Sequence, residues 1–341
     1  MSALTIVMYH YVRDLAHSRY PGIKGRTIEE FEGQLDYITR HYTVCSTRDV
    51  IAATRGERAL PANACLLTFD DGLLDHFTVA LPRLLARGLT ASFYAPAVTA
   101  AQATVLDTHK IHFILAAAPD HEALARRLRA LIDARQGEPG VASSEALWEQ
   151  CSQRQAWDFD SPAEVVFVKR ALQRDLPPPV RAAITAALFD DFVGVDERAF
   201  ARELYMDTDQ LRRLVGHGMD VGGHGATHVW LTTLSRVEQQ AEIDATAAFL
   251  ADVHGRRAVD WVMSYPFGAY TAETLALLEP AGCALGLTTR FAVASDLSSP
   301  LELPRLDTNH LPLRGDAPAP ASMAAATTGR RDERRAVSPG R

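Results

Sequence analysis

Five short apolar runs, each closed by polar, glycine or proline chemistry, constrain this chain more than any other feature. They are Leu4 to Met8 before His10, Ala64 to Phe69 before Asp70-Asp71-Gly72, Ala91 to Tyr94 before Ala95-Pro96, Val262 to Tyr265 before Pro266, and Cys283 to Thr288 before Thr289-Arg290. Apolar runs of this length with such boundaries read as buried strands. Helical patterns lie between them at Thr27 to His41, Phe77 to Arg87 and Ser235 to His254. The last opens with Ser235 and Glu238 at capping-box spacing and stops at Gly255. Alternation of strand and helix predicts an α/β barrel.

The rhythm breaks between about 107 and 205, where Ala, Leu, Arg and Glu recur at helical spacing around Pro177-Pro178-Pro179. This stretch is expected to be a mainly helical insertion in a single domain spanning residues 1–312. From residue 313 to 341 the large apolar residues give way to Ala, Pro, Gly and Arg, too little to offset the entropy of ordering, so a disordered tail is expected.

A net charge of -7 lacks the basic footprint that a nucleic-acid partner requires. The opening MSALTIVMYHYVRD has no basic flank and its apolar run ends at Tyr9-His10, so no signal peptide is expected; no later stretch is long enough to span a membrane. A cytoplasmic protein is the expectation. Cys45, Cys65, Cys151 and Cys283 share no C-x-x-C spacing and read as reduced core residues.

The strongest chemical signal is Thr68-Phe69-Asp70-Asp71-Gly72. Two carboxylates at the end of a buried strand are costly without a purpose, although an isolated Asp-Asp-Gly also suits a turn that caps a helix. The second signal is Gly222-Gly223-His224-Gly225-Ala226-Thr227-His228, with two imidazoles four residues apart, a spacing that lets both reach one metal across a helical turn. Asp71 with His224 and His228 supplies three ligands and leaves a position open for acidified water. Asp70 is then available as the general base.

Together these motifs resemble the polysaccharide deacetylase family, the NodB-like carbohydrate esterases, over residues of about 4–100 and 205–312. The resemblance implies a distorted, incomplete (β/α) barrel, with Asp70 as base and Asp71, His224 and His228 as metal ligands. Ser264-Tyr265-Pro266-Phe267-Gly268 is similar to the family's third motif, which implies that the Phe267 N–H stabilises the oxyanion, with Tyr265 a further candidate for substrate contact. The family's arginine before this proline is missing here, so Arg305, in Leu303-Pro304-Arg305-Leu306-Asp307, is the candidate partner of Asp70, with Asp307 available to the same network. Gly225 also departs from the Ser or Thr that the family commonly carries after its first histidine, which removes one hydrogen bond from the metal loop.

Met8-Tyr9-His10-Tyr11 resembles the opening of a subset of the family found in glycan and O-antigen assembly. This implies His10 as the acid that protonates the leaving amine, with His310 the alternate. His109, Lys110 and His112, where the insertion begins, are weaker candidates for substrate binding.

The expected reaction is hydrolysis of an N-acetyl or N-formyl amide on an amino sugar or glycan, free or nucleotide- or lipid-linked, using a divalent metal: Zn by availability, with Co, Mn, Fe or Ni compatible with the ligands. The competing readings are a sugar-binding relative without catalysis, against which both aspartates argue, and a two-histidine, one-carboxylate iron oxygenase, against which strand-helix alternation argues.

Overall fold

The computed structural model describes residues 3–153 and 161–319. They form two compact units, one from the described residues of Met1–Asp14, Gly25–Thr104 and Ala201–Arg331, the other from those of Leu15–Lys24 and Val105–Phe200.

The first unit is a parallel barrel. Its strands are β1 (Leu4–Tyr9), β2 (Thr43–Val44), β3 (Ala64–Phe69), β4 (Ser92–Ala95), β5 (Asp220–Gly223), β6 (Trp261–Ser264), β7 (Cys283–Phe291) and β8 (Leu303–Asp307). Seven close a ring in the order β1-β3-β4-β5-β6-β7-β8-β1, and β2 adds to the outside of β3. The ring has one strand fewer than a complete (β/α)8 barrel, as expected of an incomplete one. Its tightest seam is β1 against β3, in register from Leu4↔Ala64 to Tyr9↔Phe69, whereas β5 meets β6 at the single pair Gly223↔Met263.

Every residue of β1 and β3 is buried, which explains their unbroken apolar sequence. The rings of Tyr9, Phe69 and Phe93 stack at centroid spacings of 5.0 and 4.8 Å, with Phe31 edge-on to the first two. Thr27 and Glu30 form a capping box before the helix Ile28–His41. Ser235 and Glu238 do the same for Arg236–His254, which ends at the left-handed Gly255. Between β3 and β4 the expected helix divides into a π-helical turn, His76–Ala80, and an α-helical segment, Leu81–Ala86.

Two strands of the ring run where none was expected, as does the short β2 outside it. In β5 the Gly222-Gly223 pair belongs to the strand itself: a Cβ on Gly222 would strike the Tyr94 ring and the Val262 carbonyl, and one on Gly223 would strike Thr246. In β8, Pro304 and Arg305 interrupt the apolar pattern.

The second unit is helical among its described residues, with Asp107–Ala117, His121–Asp133, Ala163–Arg170 and Pro178–Phe192 its main elements. The triple proline starts the last of these helices. Of the tail expected from residue 313, residues 320–341 lie outside the described residues. Leu313 to Gly315 are not loose: they run against the helix Ile28–His41, where Arg40 donates to the Gly315 carbonyl at 2.7 Å and Gly33 leaves room for the Leu313 carbonyl. All four cysteines are buried, and none is in a disulfide.

Candidate metal centre

The site gathers at the C-terminal ends of the strands, where barrel enzymes carry their chemistry. Asp70 and Asp71 follow β3, His224 follows β5, Ser264 ends β6, His10 follows β1 and Arg305 reaches inward from β8.

Asp71, His224 and His228 are buried, and one potential ligand atom from each lies within 4.8 Å of the others. Asp71 Oδ1 is 3.3 Å from His224 Nε2 and 3.4 Å from His228 Nε2. His224 Nδ1 lies 2.7 Å from the Ser264 carbonyl. A carbonyl only accepts, so Nδ1 carries the hydrogen and Nε2 turns a lone pair toward Asp71 unless it is protonated. Burial disfavours a charged His224, yet the carboxylates of Asp70 and Asp71 raise its pKa above the ordinary value. Two imidazole nitrogens aimed at one carboxylate oxygen call for a positive charge among them. The donor set therefore fits a divalent cation, and Asp with two His accommodates Zn, Co, Mn, Fe or Ni.

Asp70 sits beside this cluster and has different partners. Arg305 donates Nη1 to Oδ1 at 2.9 Å and Nη2 to Oδ2 at 2.7 Å, a two-pronged bond between buried side chains. Ser264 Oγ donates to Oδ2 at 3.1 Å. Arg305 is held in turn by the Thr288 carbonyl and Thr68 Oγ1. Burial opposes the charge of Asp70, but the Arg305 guanidinium, followed by His224, outweighs it and holds the carboxyl at about 2. Asp307 does not join this network, because its carboxylate caps the turn Thr308–His310 through the Asn309 N–H.

His10 Nε2 lies 4.0 Å from Asp71 Oδ2 on a half-exposed side chain. Its segment is laced to the one carrying the aspartates: the Asp70 N–H donates to the Tyr9 carbonyl, His76 Nε2 to the His10 carbonyl at 2.9 Å, and Arg13 Nε to Asp75 at 2.7 Å. His310 packs on Phe291 instead, with ring centroids 4.2 Å apart.

Three residues of the site have left-handed backbones: Asp71 (φ 74), His228 (φ 58) and Phe267 (φ 58). Non-glycine residues adopt this conformation at a cost, and it concentrates at functional sites. The left-handed turn sets the Phe267 ring 4.8 Å from that of His228 and stacks it on Trp230 at 4.4 Å.

Four candidates have partners outside this cluster. Tyr265 is fully buried and donates its hydroxyl to the Leu301 carbonyl, so it packs the barrel rather than facing a substrate. His109 and Lys110 belong to the helical unit and are buried there rather than solvated, with Lys110 Nζ 3.0 Å from Glu197; His112 stands beside His109, ring centroids 5.7 Å apart. Sequence reasoning missed the roles of Ser264, Thr68, His76 and Glu242. The carboxylate of Glu242 accepts the N–H groups of Ala226 and Thr227 at 2.9 and 3.0 Å and the Thr227 hydroxyl at 2.6 Å. The loop expected to lack a hydrogen bond at Gly225 is thus tied at the next two residues, and Gly225 itself suits its left-handed φ of 72°.

The sequence model of the polysaccharide deacetylase family matches residues 184–286, which include both histidines but neither aspartate. A putative polysaccharide deacetylase of Bacillus subtilis, YxkH, is 26% identical over 98 residues, 29% of this chain and 34% of that protein. The aligned stretch therefore spans about a third of that relative's length. Among solved structures, the Streptococcus pyogenes deacetylase PplD, in complex with acetate, superposes with a TM-score of 0.53 at 16% identity, covering 91% of this chain and 95% of PplD. A de-N-acetylase from Aggregatibacter actinomycetemcomitans gives 0.51 at 13% identity, covering 90% and 96%. These two share the fold.

Proposed function

We propose that this chain is a metal-dependent hydrolase of the polysaccharide deacetylase type, removing an acetyl or formyl group from the nitrogen of an amino sugar. The observation that carries the reading is the convergence of Asp71, His224 and His228 beside a second carboxylate, Asp70, held ionised by Arg305. The family match and the names of the similar proteins support the same reaction.

When bound, a divalent cation supplies Lewis-acid chemistry, acidifying water and polarising a carbonyl. The chain does the rest. Asp70 takes the proton of the attacking water; Oδ1, with Arg305 as its one hydrogen-bond partner among the described residues, is the oxygen with a lone pair to spare, since Oδ2 already accepts from Arg305 and Ser264. A carboxyl held at about 2 is a weak base, so Arg305 gives up basicity for a fixed and always ionised acceptor. The Phe267 N–H, on its left-handed turn beside His228, serves the oxygen that gains charge. His10, its Nε2 4.0 Å from Asp71 Oδ2, protonates the departing nitrogen.

Zinc as the native metal, an amino sugar of surface-polysaccharide or lipopolysaccharide assembly as the substrate, and a cytoplasmic site of action belong to the same proposal. Cell fractionation tests the last of these. The test of the activity is amine release from a panel of N-acetyl and N-formyl amino sugars, free and nucleotide-linked, by metal-loaded protein, chelated protein and Asp70→Asn. Release that requires both the metal and Asp70 is the expected result. Stoichiometric metal binding without cleavage of any panel member would favour a sugar-binding protein instead.

A further inference from the structure

The loop from His224 to His228 has to hold two imidazoles on one carboxylate oxygen while His228 sits in a left-handed conformation, a strained arrangement that persists only where neighbours fix it. On one side the N–H groups of Ala97 and Val98 donate to the Gly225 and Ala226 carbonyls at 3.3 and 2.9 Å; on the other, one side chain gathers three bonds. Both N–H groups of Ala226 and Thr227 donate to Glu242 Oε2, and the Thr227 hydroxyl donates to Oε1. Hydrogen bonds to an ionised acceptor are the stronger kind. Glu242 is itself fixed to the strand that delivers His224. It lies on the helix Arg236–His254, and Thr246, one turn further on, donates to the Glu242 carbonyl at 2.7 Å while packing where Gly223 of β5 leaves space for it. One rigid path thus runs from β5 through Thr246 and Glu242 to the two residues before His228.

We propose that Glu242 is the positioning residue of the metal loop: it sets the placement of His228 relative to His224 and Asp71, and through it the affinity and coordination geometry of the bound cation. This rests on the metal-binding reading given above.

The test uses the full chain stripped of metal, titrated with Zn2+ against a chromophoric chelator and with Co2+ followed by its visible absorption. Glu242→Ala should weaken zinc binding about 10- to 100-fold, the usual effect of losing an outer hydrogen-bond partner of a metal ligand. It should also change the cobalt spectrum while the metal-free protein melts as the wild type does. Glu242→Gln, which keeps an oxygen for the two N–H groups, should recover most of the affinity, and Thr227→Val, which removes one bond of three, should lose a few-fold. Wild-type affinity and an unchanged cobalt spectrum in Glu242→Ala would overturn the proposal while leaving the metal centre intact. If Glu242→Ala does not fold, Thr227→Val decides on the same readouts. If the wild-type protein binds no more metal than Asp71→Asn, the metal-binding reading falls and this proposal falls with it.

Discussion

Arg305 and Asp70 lie side by side inside the barrel, Nη1 against Oδ1 at 2.9 Å and Nη2 against Oδ2 at 2.7 Å, with neither side chain open to solvent. A buried ion pair gains little over well-packed apolar residues, but removing one partner strands the other. Arg305→Met should therefore destabilise the protein by about 3–5 kcal/mol, and adding Asp70→Asn should restore part of that loss. Arg305→Lys keeps the charge without the planar fork, so it should fold and yet lose most of its kcat. Urea unfolding of the two single variants, the double variant and the wild type checks the coupling; strictly additive effects would refute it.

In the proposed reaction His10 acts on the leaving group alone, which would separate it from Asp71, His224 and His228. With an amide substrate, His10→Gln should lose about 100-fold or more in kcat. With an aryl ester, whose phenolate departs without a proton, it should stay within a few-fold of the wild type. An equal loss on both substrates would assign His10 to the metal or to structure instead.

His76 titrates against the fold. It is fully enclosed, gives its Nε2 hydrogen to the His10 carbonyl and has no partner at Nδ1 among the described residues; burial, resisted only partly by that hydrogen bond and by Asp71, lowers its pKa from 6.5 to about 4. Above pH 6.5 neither the folded nor the unfolded form carries the proton, and the ring costs nothing. As pH falls from 6.5 to 4 the unfolded chain takes up a proton that the folded one refuses, so stability drops by about 3 kcal/mol across that window and no further below it. His76→Gln should flatten the stability curve between pH 4 and 6.5 relative to the wild type. Parallel curves from denaturant melts across this range would rule the effect out.

How much was legible in the sequence depended on which force set each feature. The β3 run and its Asp-Asp exit could be read because burial on both faces writes itself as an unbroken apolar stretch, and Ser235, Glu238 and Gly255 marked the limits of their helix because caps are local chemistry. β5 was missed because Asp220-Val221-Gly222-Gly223 has one large apolar residue, its glycines answering to Tyr94 and Thr246, remote in sequence. β8 was missed because Pro304 and Arg305 break the pattern, and the arginine is there for Asp70 rather than for the core. Arg305 itself could be found because a buried carboxylate needs a cation and the expected one was absent. Glu242 and His76 left no such trace: each acts on backbone groups, and a side chain that serves backbone has no partner residue type to betray it. The same holds for the left-handed turns at Asp71, His228 and Phe267, which none of those side chains announces.

The thin seam between β5 and β6 has a mechanical meaning. Where the ladder is down to Gly223↔Met263, the bond from the His224 ring to the Ser264 carbonyl spans the same gap just beyond the strand ends. With a cation bound at Nε2 and the neighbouring strand held at Nδ1, that side chain would work as a clasp, so loading the ion should damp the breathing of the barrel along that one line. Amide hydrogen exchange around residues 220–228 and 261–268 should slow on metal addition, while the β1–β3 seam, already zipped over six residue pairs, should be indifferent to it.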